Sequence, residues 1–131
     1  MAIEKDVRRF GVSWEDYPYV QACKVGDTLY LSGQIAHDEQ GMIVGVGDMA
    51  AQMKQAYRNV RRLLDSYGAT FDNIVDEMTF VTDMDAALAV CTDVRREAYG
   101  GDAVVTSTLL KVAGLAFPEL LVEIRCTARL S

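Results

Sequence analysis

The sequence has little of the chemistry that metal centres and disulfide frameworks require. Among its 131 residues it contains one histidine, His37, and three widely spaced cysteines, Cys23, Cys91 and Cys126. An odd number of cysteines fits a reducing compartment better than a disulfide framework, and zinc is not expected because there is no Cys-x-x-Cys pair. We expect no metal and no other cofactor.

Long apolar runs are missing too. No apolar stretch approaches the roughly 18 residues that a membrane-spanning helix needs. Residues 4–9 are mostly charged, whereas a secretion signal would begin with an apolar run. These absences predict a cytoplasmic protein without a membrane partner.

Basic residues are outnumbered by acidic ones. The chain has 13 Lys and Arg against 19 Asp and Glu, for a formal net charge of −6. Binding to a phosphate backbone depends on a basic surface that releases counterions, so we expect no nucleic-acid partner. The length predicts a single domain, residues 1–131, with one hydrophobic core.

Turning to what is present, alternating and β-branched residues predict strands at residues 20–24, 28–32, 74–81, 104–112 and 120–130. The last is the clearest. Its even positions from Leu120 to Leu130 are all apolar, while Glu123 and Arg125 lie at odd positions. Period-two alternation therefore sends one face of this strand inward and the other outward.

Two helices are expected between the strands. Asp48 is a suitable N-cap for a helix over residues 49–67, with Gly68 after its end. A Thr-x-x-acid pattern beginning at Thr82 predicts a second helix over residues 85–99, followed by Gly100.

The order of these elements predicts an α+β fold in which both helices cover one face of a mixed sheet of about six strands. The other face would keep Leu121 and neighbouring apolar positions among its polar groups. Self-association is the simplest way to cover such a face.

Several short motifs carry a family resemblance. They are PYVQA at residues 18–22, SGQI at 32–35, AQ at 51–52, VTDM at 81–84 and VEI at 122–124. In this order and spacing, the chain resembles the RidA/YjgF family of small imine and enamine deaminases. The resemblance covers residues from about 18 to 130, and it implies a chorismate-mutase-like homotrimer with a cleft between each pair of subunits.

The resemblance also implies site residues. Tyr19, the backbone around Ser32 and Gly33, and Glu123 match positions that line the cleft in the family's deaminases. A polar residue of the family's second helix is replaced by Cys91.

The family's carboxylate-binding arginine aligns with Ser107, next to Thr106. A serine hydroxyl supplies neither the charge nor the two parallel hydrogen bonds of a guanidinium group. The substrate is therefore expected to differ from the usual 2-imino acids, and the hydroxyls of Thr106, Ser107 and Thr108 suggest a neutral or polyhydroxylated ligand. Strand threonines also serve packing alone.

For each candidate residue, two interpretations stay open at this point. Glu123 is either an acid or base whose pKa partial burial raises, or an exposed or ion-paired strand residue. Arg125, about 7 Å along the strand on the same face, either supplies positive charge to the site or pairs with an acidic neighbour. Tyr19 either contacts a ligand or closes the cleft by packing.

Cys91 and His37 are equally ambiguous. Cys91 is either a nucleophile or an inert buried thiol within the apolar stripe of the second helix. His37, at the expected rim of the cleft, is either a catalytic group, as the one side chain type whose unperturbed pKa lies near neutrality, or an exposed loop histidine.

Two functions follow from the sequence. The first is a hydrolase that acts on a small imine, enamine or related metabolite, with Glu123 as the catalytic group. The second is a non-catalytic trimer that binds a small molecule in the same cleft.

Overall fold

The computed structural model describes residues 1–10 and 16–131, which form a six-stranded mixed sheet with two helices on one face. The strands are β1 (Asp6–Arg8), β2 (Ala22–Val25), β3 (Thr28–Leu31), β4 (Ile74–Val81), β5 (Thr106–Lys111) and β6 (Val122–Arg129). The helices are α1 (Met49–Asp65) and α2 (Met84–Tyr99), and a short 3-10 turn (Phe71–Asn73) precedes β4.

The strands lie side by side in the order β1-β2-β3-β6-β4-β5. Strands β4 and β5 run parallel, because α2 carries the chain back between them, and the other four neighbouring pairs are antiparallel. The predicted α+β class is confirmed, and the five predicted strands agree with β2 to β6 to within two residues at each end, whereas β1 was not predicted.

The core lies between the sheet and the two helices. Along β6 the side chains of Val122, Ile124, Cys126 and Ala128 are all buried, as the period-two pattern predicts. They pack against the apolar side of α1, which includes Val60. We call this side of the sheet the helix face.

The opposite side, which we call the open face, has no helix over it in the described ranges. The strand register gives it these residues: Cys23, Tyr30, Asp76, Met78, Phe80, Thr106, Thr108, Leu110, Glu123, Arg125 and Thr127. Tyr30 is 49% exposed and Leu110 is 42% exposed. The expected uncovered face with apolar groups is therefore present, although Leu121 itself packs against the core.

Capping side chains fix where the helices begin. The Asp48 carboxylate accepts a hydrogen bond from the Ala51 amide, as predicted. The second helix differs from expectation, because its N-cap is Asp83 and not Thr82. The Asp83 carboxylate accepts a hydrogen bond from the Ala86 amide. The left-handed conformation of Gly100 (φ 74°) ends α2, and few residues other than glycine adopt it.

In the parts of the chain that are described, neither helix has the length and apolarity to cross a bilayer.

Candidate functional site

The candidate site forms where the segment after β3 runs beside the start of β6. Gln34 and Ile124 exchange two backbone hydrogen bonds, of 2.7 and 2.9 Å. This pairing places Gly33 directly against Glu123. Two distant parts of the sequence, the SGQI motif and the last strand, are brought together in this way.

Ser32 holds the preceding segment over the same place. Its hydroxyl donates to the Val20 carbonyl at 2.7 Å, and its amide donates to the Gln21 carbonyl at 2.8 Å. The hydroxyl is thus engaged with the main chain, so Ser32 positions the residues around Tyr19.

A buried amide pair supports this arrangement. Gln34 Nε2 donates to Gln21 Oε1 at 3.0 Å and to the Ser32 carbonyl at 2.9 Å, and both glutamines are almost fully buried. Satisfied buried hydrogen bonds of this kind hold a backbone in one arrangement, because breaking them would leave polar groups without partners.

Gly33 and Glu123 are in unusually close contact. A Cβ atom built on Gly33 would lie 2.6 Å from both Cδ and Oε2 of Glu123. Only glycine leaves room for the carboxyl group in this position. The backbone amide of Gly33 has no hydrogen-bond partner among residues 1–10 and 16–131, so it remains a free donor beside the carboxyl.

The Glu123 carboxyl is half-buried, and burial raises its pKa above the ordinary glutamate value, with Arg125 acting in the opposite direction. In the described part of the chain, no side chain or backbone group donates a hydrogen bond to it and no cation forms an ion pair with it. The predicted rise in pKa is present, and the ion-paired alternative does not hold within one chain.

Glu123 lies at the boundary of two hollows. The first, the strand hollow, has a volume of about 440 Å³ and lies on the open face. Beside Glu123, its polar and aromatic lining includes Arg125, Tyr30 and Phe80. Arg125 has no ion pair in the described residues, so its expected pairing with an acidic neighbour is not seen.

The second hollow, the loop hollow, has a volume of about 300 Å³ and is mainly apolar. It is lined by Tyr17, Ile35, His37, Ile43 and Phe117 among others. Tyr19, Gly33 and Glu123 line both hollows. Tyr19 is 50% exposed and meets Tyr17 edge-on, with ring centroids 6.3 Å apart, so its phenol is accessible from the cleft.

Three predicted site residues are not near Glu123 within one chain. Ser107 lies on the helix face, where its hydroxyl contacts Arg95 Nη2 at 3.2 Å and Glu77 Oε1 at 3.4 Å. Cys91 belongs to α2, which packs on the same face. Thr106 is on the open face at the edge strand, and its hydroxyl bonds to Asp76.

Sequence reasoning missed a buried polar cluster between β4 and the two helices. The fully buried Glu77 carboxylate accepts hydrogen bonds from the Tyr57 hydroxyl at 3.0 Å and the Tyr99 hydroxyl at 2.9 Å. Arg95 Nε donates to it at 2.6 Å. Burial and the Glu77 charge raise the pKa of both tyrosines, so they stay protonated and act as donors.

The site therefore combines a half-buried carboxyl with a raised pKa, a free backbone donor and a guanidinium group on the strand side. Such a carboxyl can hold a water molecule and move protons to or from a ligand. In the described stretches, no group of three or more His, Cys, Asp or Glu side chains is arranged to bind a metal.

Comparison with known proteins agrees with this architecture. The profile of the family described as Endoribonuclease L-PSP matches residues 15–130. A RutC family protein of Synechocystis is 33% identical over 112 residues, which cover 85% of this chain and 85% of that protein. One from Sulfurisphaera tokodaii is 36% identical over 67 residues, 51% of this chain and 54% of that protein.

Solved structures show the same fold. A Yersinia pestis protein of the Rid family, described as of unknown function, has a TM-score of 0.86 at 27% identity, covering 97% of this chain and 100% of that one. A Mycobacterium tuberculosis member of the YjgF/YER057c/UK114 family has a TM-score of 0.82 at 28% identity, with the same coverage. The predicted fold is thus confirmed, and the chain belongs to the RidA/YjgF family.

Proposed function

We propose that this protein is a hydrolase of small imines, enamines or related metabolites, and that Glu123 positions the attacking water and transfers the protons. The observation that carries the proposal is the state of this carboxyl. It is half-buried, its pKa is raised, it has no partner in the described chain, and it borders two hollows. These are the properties expected of a general acid or base.

The reaction consists of simple steps. Water adds to the imine carbon, a proton passes to nitrogen, and the carbon–nitrogen bond breaks to give a carbonyl compound and ammonia. Glu123 takes one proton from the water during attack and passes it to the imine nitrogen, and it then transfers the proton of the new hydroxyl group to the departing nitrogen as the carbonyl forms. An enamine first takes a proton at carbon and then reacts as the imine. In this proposal the Gly33 amide, which has no partner in the described chain and belongs to the lining of the strand hollow, donates a hydrogen bond to the substrate.

Recognition in this proposal relies on Arg125. Its side chain lines the strand hollow together with Glu123, and no carboxylate of the described chain pairs with it. A guanidinium group binds a carboxylate through two charge-assisted hydrogen bonds. In this proposal Arg125 supplies from β6 the positive charge that Ser107 on β5 lacks. A 2-imino acid can then bind, in contrast to the neutral or polyhydroxylated ligand that the sequence suggested. Tyr19 covers the bound molecule.

The proposal also includes a homotrimer, with the cleft closed by a neighbouring subunit. The open face supports this, because it carries exposed apolar side chains and a free edge strand, β5. Thr106 lies on that edge strand, and in the proposed trimer its hydroxyl lines the cleft of a neighbouring subunit. Ribonuclease activity is not proposed, because the net charge of −6 disfavours a phosphate-backbone substrate.

The test measures ammonia release from imines made in situ. An amino-acid oxidase supplies 2-iminopropionate from alanine, and aminomuconate-like enamines form a second panel. We expect Glu123→Gln to lower kcat by about 10²-fold or more. If the parent protein turns over neither panel, but a panel compound or its product raises the melting temperature, the protein is a binding module and not an enzyme.

The same variant carries its own folding control. At a pH between the ordinary pKa of a glutamate and the raised pKa of Glu123, the native protein binds more protons than the unfolded chain. The free energy of unfolding therefore falls as the pH rises through that window. Glutamine removes this dependence. Above the window, Glu123→Gln should be at least as stable as the parent protein in thermal melts, so that lost activity reflects lost chemistry.

A further inference from the structure

His37 is the one imidazole of the chain, and His37 and Glu123 both line the loop hollow. The rest of this lining is largely aromatic or branched, with Tyr17, Ile43 and Phe117 among its members. A mainly apolar hollow with a few convergent polar groups is the usual form of a small-molecule site. The described lining thus brings an imidazole and a carboxyl group to the same hollow.

The hydrogen bond of the His37 ring determines its tautomer. Nδ1 lies 3.1 Å from the backbone carbonyl oxygen of Asp38. A carbonyl oxygen only accepts hydrogen bonds, so Nδ1 carries the proton and donates it. In the neutral ring Nε2 is then an acceptor, and no group in the described ranges bonds to it.

The backbone of His37 is held firmly by α1. Its carbonyl oxygen accepts hydrogen bonds from Gln55 Nε2 at 3.1 Å and from Asn59 Nδ2 at 2.9 Å. The same Asn59 nitrogen also donates to the Ile35 carbonyl at 2.8 Å. The imidazole is thus carried on an ordered turn fixed by a helix, and the site does not depend on a loose loop to present it.

We propose that His37 is a substrate-binding residue of this cleft, and that the substrate is an imine or enamine with a bulky apolar group. Nε2 accepts a hydrogen bond from the substrate N–H group, while the apolar group occupies the loop hollow against Tyr17, Ile43 and Phe117. This inference rests on the function proposed above and names the substrate class that the site prefers.

Size and chemistry both favour an aromatic or branched group. The loop hollow measures about 300 Å³, far more than the single methyl group of an alanine-derived imine would fill. Aromatic rings lining a hollow gain most from contact with another ring. With the apolar group in the loop hollow, the reacting carbon lies at Glu123 and a carboxylate extends toward Arg125 in the strand hollow.

Kinetics test the preference. Imines generated from phenylalanine and from alanine are compared in the parent protein, which should favour the phenylalanine-derived imine by at least tenfold in kcat/KM.

The variants test the role of His37. His37→Leu should raise KM for the phenylalanine-derived imine about tenfold or more with little change in kcat. His37→Gln keeps a hydrogen-bond acceptor, so its KM should lie between those of the parent protein and His37→Leu. Gln40→Leu, on the exposed part of the same turn, is the matched control and should change neither constant.

A binding measurement separates this inference from the proposed reaction. In tag-free protein the single imidazole gives one set of ring carbon–proton signals, and phenylalanine serves as an unreactive ligand with the same apolar group, nitrogen and carboxylate. We expect a saturable shift of these signals with phenylalanine and none with alanine, in the parent protein and in Glu123→Gln. A shift without turnover supports His37 binding and overturns the reaction, whereas turnover without a shift overturns the role of His37. If neither occurs, both proposals are wrong.

Discussion

The contact between Gly33 and Glu123 makes the position of the carboxyl sensitive to a single methyl group. In Gly33→Ala the added Cβ would lie 2.6 Å from Cδ and Oε2 of Glu123. Because that carboxyl is the end of a flexible side chain, we expect it to move aside at a modest cost in stability, about 1–3 kcal/mol. A displacement of about 1 Å is enough to lower kcat by about 10²-fold. Ammonia release and urea unfolding, measured on the same preparation, check both expectations.

A second glycine provides the control. Gly114 has no atom within 4 Å of a Cβ built on it, and its φ is not positive, so Gly114→Ala should leave both measurements unchanged. If Gly33→Ala keeps full activity, the position of the Glu123 carboxyl does not matter for the reaction.

At the scale of residues, the sequence analysis grouped Tyr19, Gly33 and Glu123 through their motifs, and the structure brings all three to the strand hollow. Ser107 was named as well, but within one chain it contacts Glu77 on the helix face and lies away from Glu123. The pattern of a single chain does not show which residues a neighbouring subunit contributes to a shared cleft, so the place of Ser107 in the site stays a prediction.

At the scale of elements, the buried Glu77 links α2 to the sheet. Arg95 from α2 is its cationic partner, and the Arg95 side chain is 27% exposed. Replacing Arg95 with Met keeps an apolar stem but leaves a buried carboxylate without its countercharge. We expect Arg95→Met to lower the free energy of unfolding by about 2–4 kcal/mol, somewhat below the loss typical of a fully buried pair. Urea unfolding at one fixed protein concentration measures this.

The matched control is the next residue along the same helix. Arg96 pairs with Asp102, and both side chains are largely exposed, at 61% and 85%. Exposed ion pairs contribute about 0–1 kcal/mol, so Arg96→Met should change stability little. Equal losses in the two variants would mean that the Glu77 cluster does not hold α2 against the sheet.

The elements that the sequence predicted best were those with a regular apolar repeat, such as β6 and α1. Strand β1 was missed because three residues are too short to show a period, and its pairing with β2 exists only in the folded chain. Glu77 was missed because a shift in register between Ile74 and Asp76 interrupts the alternation along β4. The cap of α2 was placed one residue early because Thr82 and Asp83 are both suitable capping residues.

At the scale of the whole molecule, the distribution of helices is one-sided. Both helices cover the helix face, and the open face keeps Tyr30 and Leu110 at the surface of the described chain. Glu123 and Arg125 share that open face. A contact that covers the open face would also enclose the strand hollow, so the proposed activity would depend on the proposed assembly.

This coupling predicts that one charge on the open face separates the subunits. Leu110 lies on edge strand β5 in register with Phe80, which in turn pairs with Glu123. Leu110→Glu places a carboxylate in the proposed contact, where desolvation disfavours association. We expect the variant to sediment as a monomer at concentrations where the parent protein is a trimer, and to lose imine hydrolysis. Leu88→Glu alters a leucine on α2 that is more exposed than Leu110 and lies away from the open face, so it should affect neither property. A Leu110→Glu variant that stays trimeric would show that this surface is not the subunit interface. A parent protein that is monomeric and active would show that the site is complete within one chain.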